Sequence, residues 1–377
     1  MKALGLYIHV PFCKSKCLYC DFCSLPRPTA EDTARYTEVI CRELLSRAED
    51  CADRTVDTVY FGGGTPTVLT GEQFTRILET VFKSYRVDGT AEITSECNPA
   101  TADRALLREM RAAGFNRISV GIQSAHGHEL RALGRIHSFR DAEALFEQAV
   151  SVGFSNLSAD VMLGIPYQTP ESFAQTLERV AKLDPTHVSA YALTVEEGTP
   201  FGRRGAEALD LPDEDTTAQM YLSMIGQLAD RGFLQYEISN FAKRGYESRH
   251  NLKYWNTEEY LGFGPAAHSD FGGVRFSNAA DVKRYLSEGA VEATRETLSD
   301  ADRLEEYVML QMRLARGLDL RLLSDRFGAA AGERFSRALG KYEALGFVCR
   351  REERLAFTPK GMLVSNSVLS EVLCFHR

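Results

Sequence analysis

Six apolar, strand-like runs alternate with segments of helical periodicity through the first part of the chain, and this alternation restricts the fold more than any other feature. The runs are Leu4–His9, Thr55–Phe61, Ala91–Cys97, Arg117–Gly121, Asn156–Leu163 and His187–Leu193. The helical segments that follow them are Glu31–Ala48, Gly71–Phe82, Ala102–Ala113, Ser138–Val152, Thr169–Leu183 and Asp215–Arg231. Strands that alternate with helices imply parallel βα units. Six such units fit a partial (β/α)6 barrel, and less easily an open doubly wound sheet.

The polar and glycine-rich residues recur at one place in these units. Gly62–Thr67 follows the second strand. Glu96 and Asn98 end the third, Gln123 follows the fourth, and Asp160 lies in the fifth. In α/β barrels the C-terminal rim of the strands carries the chemistry. Alternation and placement therefore agree on one site.

From about residue 235 the texture changes. Tyr236, Phe241, Tyr246, His250, Tyr254, Trp255, Tyr260, Phe263 and His268 crowd a loop-rich segment or small sheet expected to cap the barrel mouth. Three helices (301–314, 320–327 and 333–345), a hairpin around the charged Arg350–Arg354 run and a last helix over 360–373 suggest a small winged-helix-like C-terminal domain. The expected division is a barrel over 1–234, an aromatic-rich segment over 235–295 and the C-terminal domain over 296–377.

The formal net charge is −8, which argues against a broad electrostatic grip on nucleic acid or anionic lipid. Arg350, Arg351 and Arg354 are offset by Glu352 and Glu353, so the C-terminal domain is not read as a DNA binder. The apolar Ala3–Phe12 stretch is interrupted by His9 and Pro11, and no small-residue cleavage site follows it. No run approaches the ~18 apolar residues of a membrane span. The expectation is a cytoplasmic protein that is not integral to a membrane.

Four of the nine cysteines fall in one short stretch: Cys13, Cys17, Cys20 and Cys23. Cys13, Cys17 and Cys20 form a C-x3-C-x2-C run. Three thiolates can hold three irons of a [4Fe–4S] cluster and leave the fourth open to a small ligand. A zinc site completed by Cys23 or His9 would use the same donors, although no second C-x2-C pair appears elsewhere. Cys41, Cys51, Cys97, Cys349 and Cys374 lack cluster spacing and read as buried or small apolar residues. The glycines of Gly62-Gly63-Gly64-Thr65-Pro66-Thr67 permit close backbone approach to a ligand, and a tight βα turn would use them equally.

The cysteine run, Tyr19 and the Gly62–Thr67 segment together resemble the radical S-adenosylmethionine (SAM) superfamily. The resemblance implies that an open iron chelates the amino and carboxylate groups of SAM, and that the reduced cluster cleaves the sulfonium to give a 5′-deoxyadenosyl radical. Tyr7-Ile-His-Val-Pro-Phe-Cys13, Glu96-Cys-Asn-Pro99, Ser119-Val-Gly-Ile-Gln-Ser124, Leu133-Gly-Arg-Ile-His137 and Asp160-Val-Met-Leu-Gly-Ile-Pro166 resemble the oxygen-independent coproporphyrinogen oxidase family. In that family Tyr7 and Tyr19 would lie near the cluster and SAM. Gly63, Gly64 and Thr65 would hold the methionine end, and Glu96, Gln123, Arg135 and Asp160 would contact the rest of SAM.

Two activities occur within this family. The oxidase removes two propionate carboxyls, and its cysteine run continues C-x3-C-x2-C-x-C. Here Phe22 stands at the last position and Cys23 falls one residue late. The oxidase also carries an arm ahead of the cluster, whereas twelve residues precede Cys13. The other group binds haem and passes it to apoproteins, membrane respiratory proteins being candidate acceptors. Its signature H-N-x-x-Y-W is similar to His250-Asn251-Leu252-Lys253-Tyr254-Trp255. This implies a haem site with the His250 imidazole as iron ligand and aromatic surface against the macrocycle. The expected function is therefore haem delivery by a protein with a SAM-binding [4Fe–4S] cluster, and the alternative is the decarboxylase.

Overall fold

The computed structural model describes residues 2–373. Six parallel strands form in chain order: Lys2–Val10, Arg54–Gly63, Val87–Cys97, Arg117–Gln123, Asn156–Leu163 and His187–Ala192. Each pairs with the next, with Tyr7 opposite Tyr60, Tyr60 opposite Thr94, Glu96 opposite Ser119 and Asp160 opposite Ser189. The helices after the strands are Ala30–Arg47, Gly71–Ser84, Arg104–Ala113, Phe139–Ser151, Pro170–Ala181 and Glu214–Ala229, with a short extra helix at Gly127–Ala132. Val59, Phe61, Ile118, Val120, Ala159, Val161, Val188 and Ala190 belong to the main apolar core. The residues between them point to the concave side, as the period of two requires.

Helix starts are fixed at the rim where the strands end. Thr29 with Asp32, Thr70 with Gln73, Ser138 with Asp141 and Thr169 with Ser172 form capping boxes. Each satisfies two otherwise orphaned backbone donors, and the capping side chain contributes about 1 kcal/mol. The rim loops are thus held from the helix side as well as from the sheet.

The aromatic segment extends the sheet at both ends as well as contributing to the site. Asn240–Ala242 pairs antiparallel with the sixth strand, and Tyr260–Phe263 pairs parallel with the first. Further antiparallel strands follow at His268–Phe271, Val274–Asn278 and Glu292–Glu296, and with Leu234–Gln235 outside Asn240–Ala242 they complete a 12-stranded sheet. Residues 243–259 join the strands Asn240–Ala242 and Tyr260–Phe263, and the helix Arg249–Trp255 lies in this connection.

The C-terminal region has helices at Asp300–Met312, Leu320–Phe327 and Ala329–Gly340, then a hairpin of Val348–Arg351 and Arg354–Phe357. Arg350, Arg351 and Arg354 are strand residues; the turn is Glu352-Glu353, with Glu352 at φ +55°. The expected last helix is two, Pro359–Leu363 and Ser365–Val372, because the backbone departs from helix at Val364. Cys374 lies outside the described residues. Among the described residues no helix is long and apolar enough to cross a membrane.

Candidate cluster and cofactor site

The cysteine loop is tied at its ends, its middle and its back. Phe12–Cys13 pairs with Leu25–Pro26, Leu25 N donates to Pro11 O at 2.7 Å, and Arg27 N donates to Cys13 O at 2.8 Å. Leu18 N donates to Leu133 O at 3.1 Å and Leu18 O accepts from Phe201 N at 3.0 Å, which fixes the middle. Gly64 N donates to Val10 O at 2.9 Å, and Thr65 N donates to Phe12 O at 2.6 Å. The glycine segment is therefore the backing of the cysteine loop. Gly63 has φ +103°, and a Cβ on Gly64 would lie 2.5 Å from Phe12 O.

Cys13, Cys17 and Cys20 line one cavity of about 560 Å³ at the C-terminal rim. That volume falls within the ordinary range of ligand pockets. Tyr19, Gly63, Gly64, Thr65, Glu96, Gln123, Arg135 and Asp160 line the same cavity. Tyr7 is not on its wall; it stacks against Tyr60, which is. Cys23 is also off the wall.

The donor set fits a cluster better than a single ion. All described cysteines are free thiols. Among the described residues no group of three His, Cys, Asp or Glu side chains converges as it would around one metal ion. A cubane takes each thiolate on a different iron and needs no such convergence. His9 is committed elsewhere: its Nε2 meets Cys23 O at 2.8 Å and its Nδ1 meets Tyr7 OH at 3.2 Å. Burial pushes the Cys13 and Cys20 thiols up, so iron must displace their protons. Arg135 Nη1 donates to Cys17 Sγ at 3.4 Å and Nη2 to Gly121 O at 2.7 Å, placing a fixed positive charge beside the thiolates.

The facing wall is acidic. Burial and the nearby Asp160 push Glu96 up to about 7, although Tyr60 OH donates to its Oε1 at 3.0 Å. Burial also raises Asp160, which accepts from Ser119 at 3.0 Å and Ser158 at 3.2 Å. Two carboxylates sharing one cavity favour a cationic guest, whose charge would draw both back down. SAM carries an ammonium and a sulfonium and suits this wall.

His250 is not on the cavity wall. It is 1% exposed, with Nδ1 at 2.8 Å from Thr58 Oγ1 and Nε2 at 2.8 Å from Tyr254 OH. Burial, with Lys253 and Arg117 nearby, pushes it down to about 3, so the ring is neutral. Both ring nitrogens, either of which the resemblance would place on haem iron, are engaged in this conformation. The ring instead stacks on Tyr60 (5.2 Å between centroids) and on Tyr7 (6.3 Å). Its helix is anchored by Arg249 N and His250 N on Glu92 and by Lys253, which pairs with Asp57 at 2.7 Å and Glu258 at 3.1 Å. Asn251, the next residue of the run, does line the cavity.

Sequence reasoning passed over Tyr60, Arg117, Ser119, Ser189 and Tyr191, which also line it. The signal was present. Arg117-Ile-Ser-Val-Gly and His187-Val-Ser-Ala-Tyr place polar residues at every second position, the mark of a strand with one polar face.

Three thiols on a rim loop, backed by a glycine turn and faced by two cavity-lining carboxylates across a parallel partial barrel, define a protein of the radical SAM class. The comparisons agree. Residues 7–180 match the Radical SAM superfamily and residues 298–364 match the HemN C-terminal domain. "Heme chaperone HemW" of Bacillus subtilis is 32% identical over 97% of this chain and 98% of that protein. The bovine "Radical S-adenosyl methionine domain-containing protein 1, mitochondrial" is 33% identical over 98% of this chain and 87% of its own. Among solved structures, coproporphyrinogen III oxidase (HemN) from Escherichia coli, described as a radical SAM enzyme, superposes with a TM-score of 0.87 at 25% identity. The match covers 100% of this chain and 91% of that one. The chain belongs to the HemW haem-chaperone family of the radical SAM superfamily.

Proposed function

We propose that this protein binds haem and hands it to acceptor apoproteins, membrane respiratory proteins among them, while carrying a SAM-binding [4Fe–4S] cluster on Cys13, Cys17 and Cys20. The observation that carries the reading is near full-length similarity to proteins named as haem chaperones. Gly63, Gly64 and Thr65 hold the methionine end of SAM, and Glu96, Gln123, Arg135 and Asp160 receive the rest. Tyr19, within the cluster loop, lines the cavity, and Tyr7 supports the wall through Tyr60. The fold likeness to the oxidase supports the decarboxylase as second reading. Phe22, which lines the cavity where the oxidase pattern has a cysteine, weighs against it. Haem titration of the reconstituted protein, followed by transfer to an apoprotein, tests the reading.

His250 receives a positioning role in this conformation: it holds Tyr60, whose hydroxyl donates to Glu96. His250→Gln keeps hydrogen-bonding groups near Thr58 and Tyr254 but is a poor haem ligand. We expect His250→Gln to retain most haem and SAM binding and His250→Ala to weaken both roughly tenfold, a loss of the size expected for unsatisfied buried hydroxyls. Absorption titrations for haem and the paramagnetic resonance of the reduced cluster for SAM check this. Loss of the haem spectrum in both variants, with SAM binding intact, would restore His250 as the ligand.

A further inference from the structure

Arg117 is the buried charge that the cluster and SAM reading leaves unused. It starts the fourth strand, one inward-facing step below Ser119, and is 2% exposed. It pairs in register with Thr94, whereas Glu96 pairs with Ser119, so it lies on the floor of the cavity and not at its rim. Its Nε has no hydrogen-bond partner, and against the cost of burial only the fields of Glu92, Tyr60, Tyr236 and Asp160 keep the guanidinium charged. The acidic groups whose field it feels are already committed. Glu92 accepts from Arg249 N and His250 N, both at 3.2 Å, and Asp160 accepts from Ser119 and Ser158.

A buried cation with open donors is costly unless an anion completes it. A guanidinium presents a planar fork that matches a carboxylate through two parallel bonds. Asn251 lies on the same cavity, its backbone N–H is given to Ser248 Oγ at 3.4 Å, and its side-chain amide carries two N–H donors. Asn251 also belongs to the H-N-x-x-Y-W run, so one residue of that run shares the cavity with Arg117.

We propose that Arg117 and Asn251 form a carboxylate subsite on the cavity floor that receives a propionate side chain of the tetrapyrrole. The inference rests on the haem reading above and adds the group through which the cargo is held. SAM also carries a carboxylate, but its methionine end is assigned to Gly63–Thr65 at the rim, above the level of Arg117. A propionate is the carboxylate that reaches the floor.

The test compares haem with its propionate dimethyl ester in dilute detergent, titrated anaerobically into the reconstituted full-length protein. Wild type should bind haem roughly tenfold or more tighter than the diester, the size of one charged hydrogen-bonded contact. Arg117→Gln should bring haem down to the affinity of the diester and leave the diester unchanged. Asn251→Ala should move haem the same way by less. SAM affinity, read from the reduced cluster's resonance, should change less than haem affinity in Arg117→Gln, because Glu96 and Asp160 feel the Arg117 charge only through space. Equal binding of haem and diester by wild type overturns the proposal, and this comparison decides it even if Arg117→Gln fails to fold. Weakened SAM binding with haem spared in Arg117→Gln overturns it in favour of the SAM carboxylate. Uptake of neither tetrapyrrole by wild type overturns the haem reading itself, an outcome distinct from the other two.

Discussion

Replacing any one of Cys13, Cys17 and Cys20 by Ser abolishes the iron–sulfur absorption of anaerobically reconstituted protein. Wild type binds about four irons and four sulfides, whereas each variant falls to near background. All three thiols line one cavity on a loop fixed at its ends and its middle, so no neighbouring cysteine can slide into a vacated position. Cys23 does not line that cavity, and its carbonyl is held by His9. Cys23→Ser therefore retains most of the cluster. Iron and sulfide assays with the absorption spectrum check both statements. Stoichiometric zinc without iron–sulfur absorption would contradict them.

Gly64→Ala is expected to remove the cluster as well as SAM binding. The sequence suggests that a side chain here would only obstruct SAM. The structure gives a different reason. A Cβ would lie 2.5 Å from Phe12 O, 2.8 Å from Phe12 N and 2.9 Å from Val10 O, all backbone atoms of the segment that carries Cys13. Backbone cannot rotate away as a side chain does, so the loop must shift or the Gly64–Val10 bond must break. Overpacking of this kind costs about 1–3 kcal/mol, and here it falls on the loop that positions the thiols. Thermal unfolding and iron content after reconstitution should drop together. Gly89→Ala is the control, because a Cβ there meets nothing within 4 Å. A Gly64→Ala protein with full iron content and weakened SAM binding would restore the simpler steric account.

The parallel core was legible because its chemistry is local. Runs such as Thr55–Phe61 and Asn156–Leu163 are long enough and apolar enough to name a strand, and Glu96 and Gln123 mark where two of the strands end. The rim glycines and cysteines carried their own spacing. The aromatic segment was less legible, because the partner of Tyr260–Phe263 is the first strand, at the far end of the sequence. No local pattern reports a pairing over such a separation. His250 shows the same limit. Its flanking aromatics fit a ligand pocket or a buried stack equally well. Thr58 and Tyr60, which decide between them, lie far upstream. Arg117 was hidden in a strand read for its apolar residues.

The measurement that bears most directly on this account is haem transfer. Reconstituted protein is loaded with haem anaerobically, freed of excess, and mixed with an apo haem protein while the absorption of donor and acceptor is followed. A parallel sample receives coproporphyrinogen, SAM and a reductant. The account predicts roughly one haem retained per chain, its movement to the acceptor on mixing, and no protoporphyrinogen in the parallel sample. Protoporphyrinogen formed over many turnovers, from a protein that retains no haem, would contradict it.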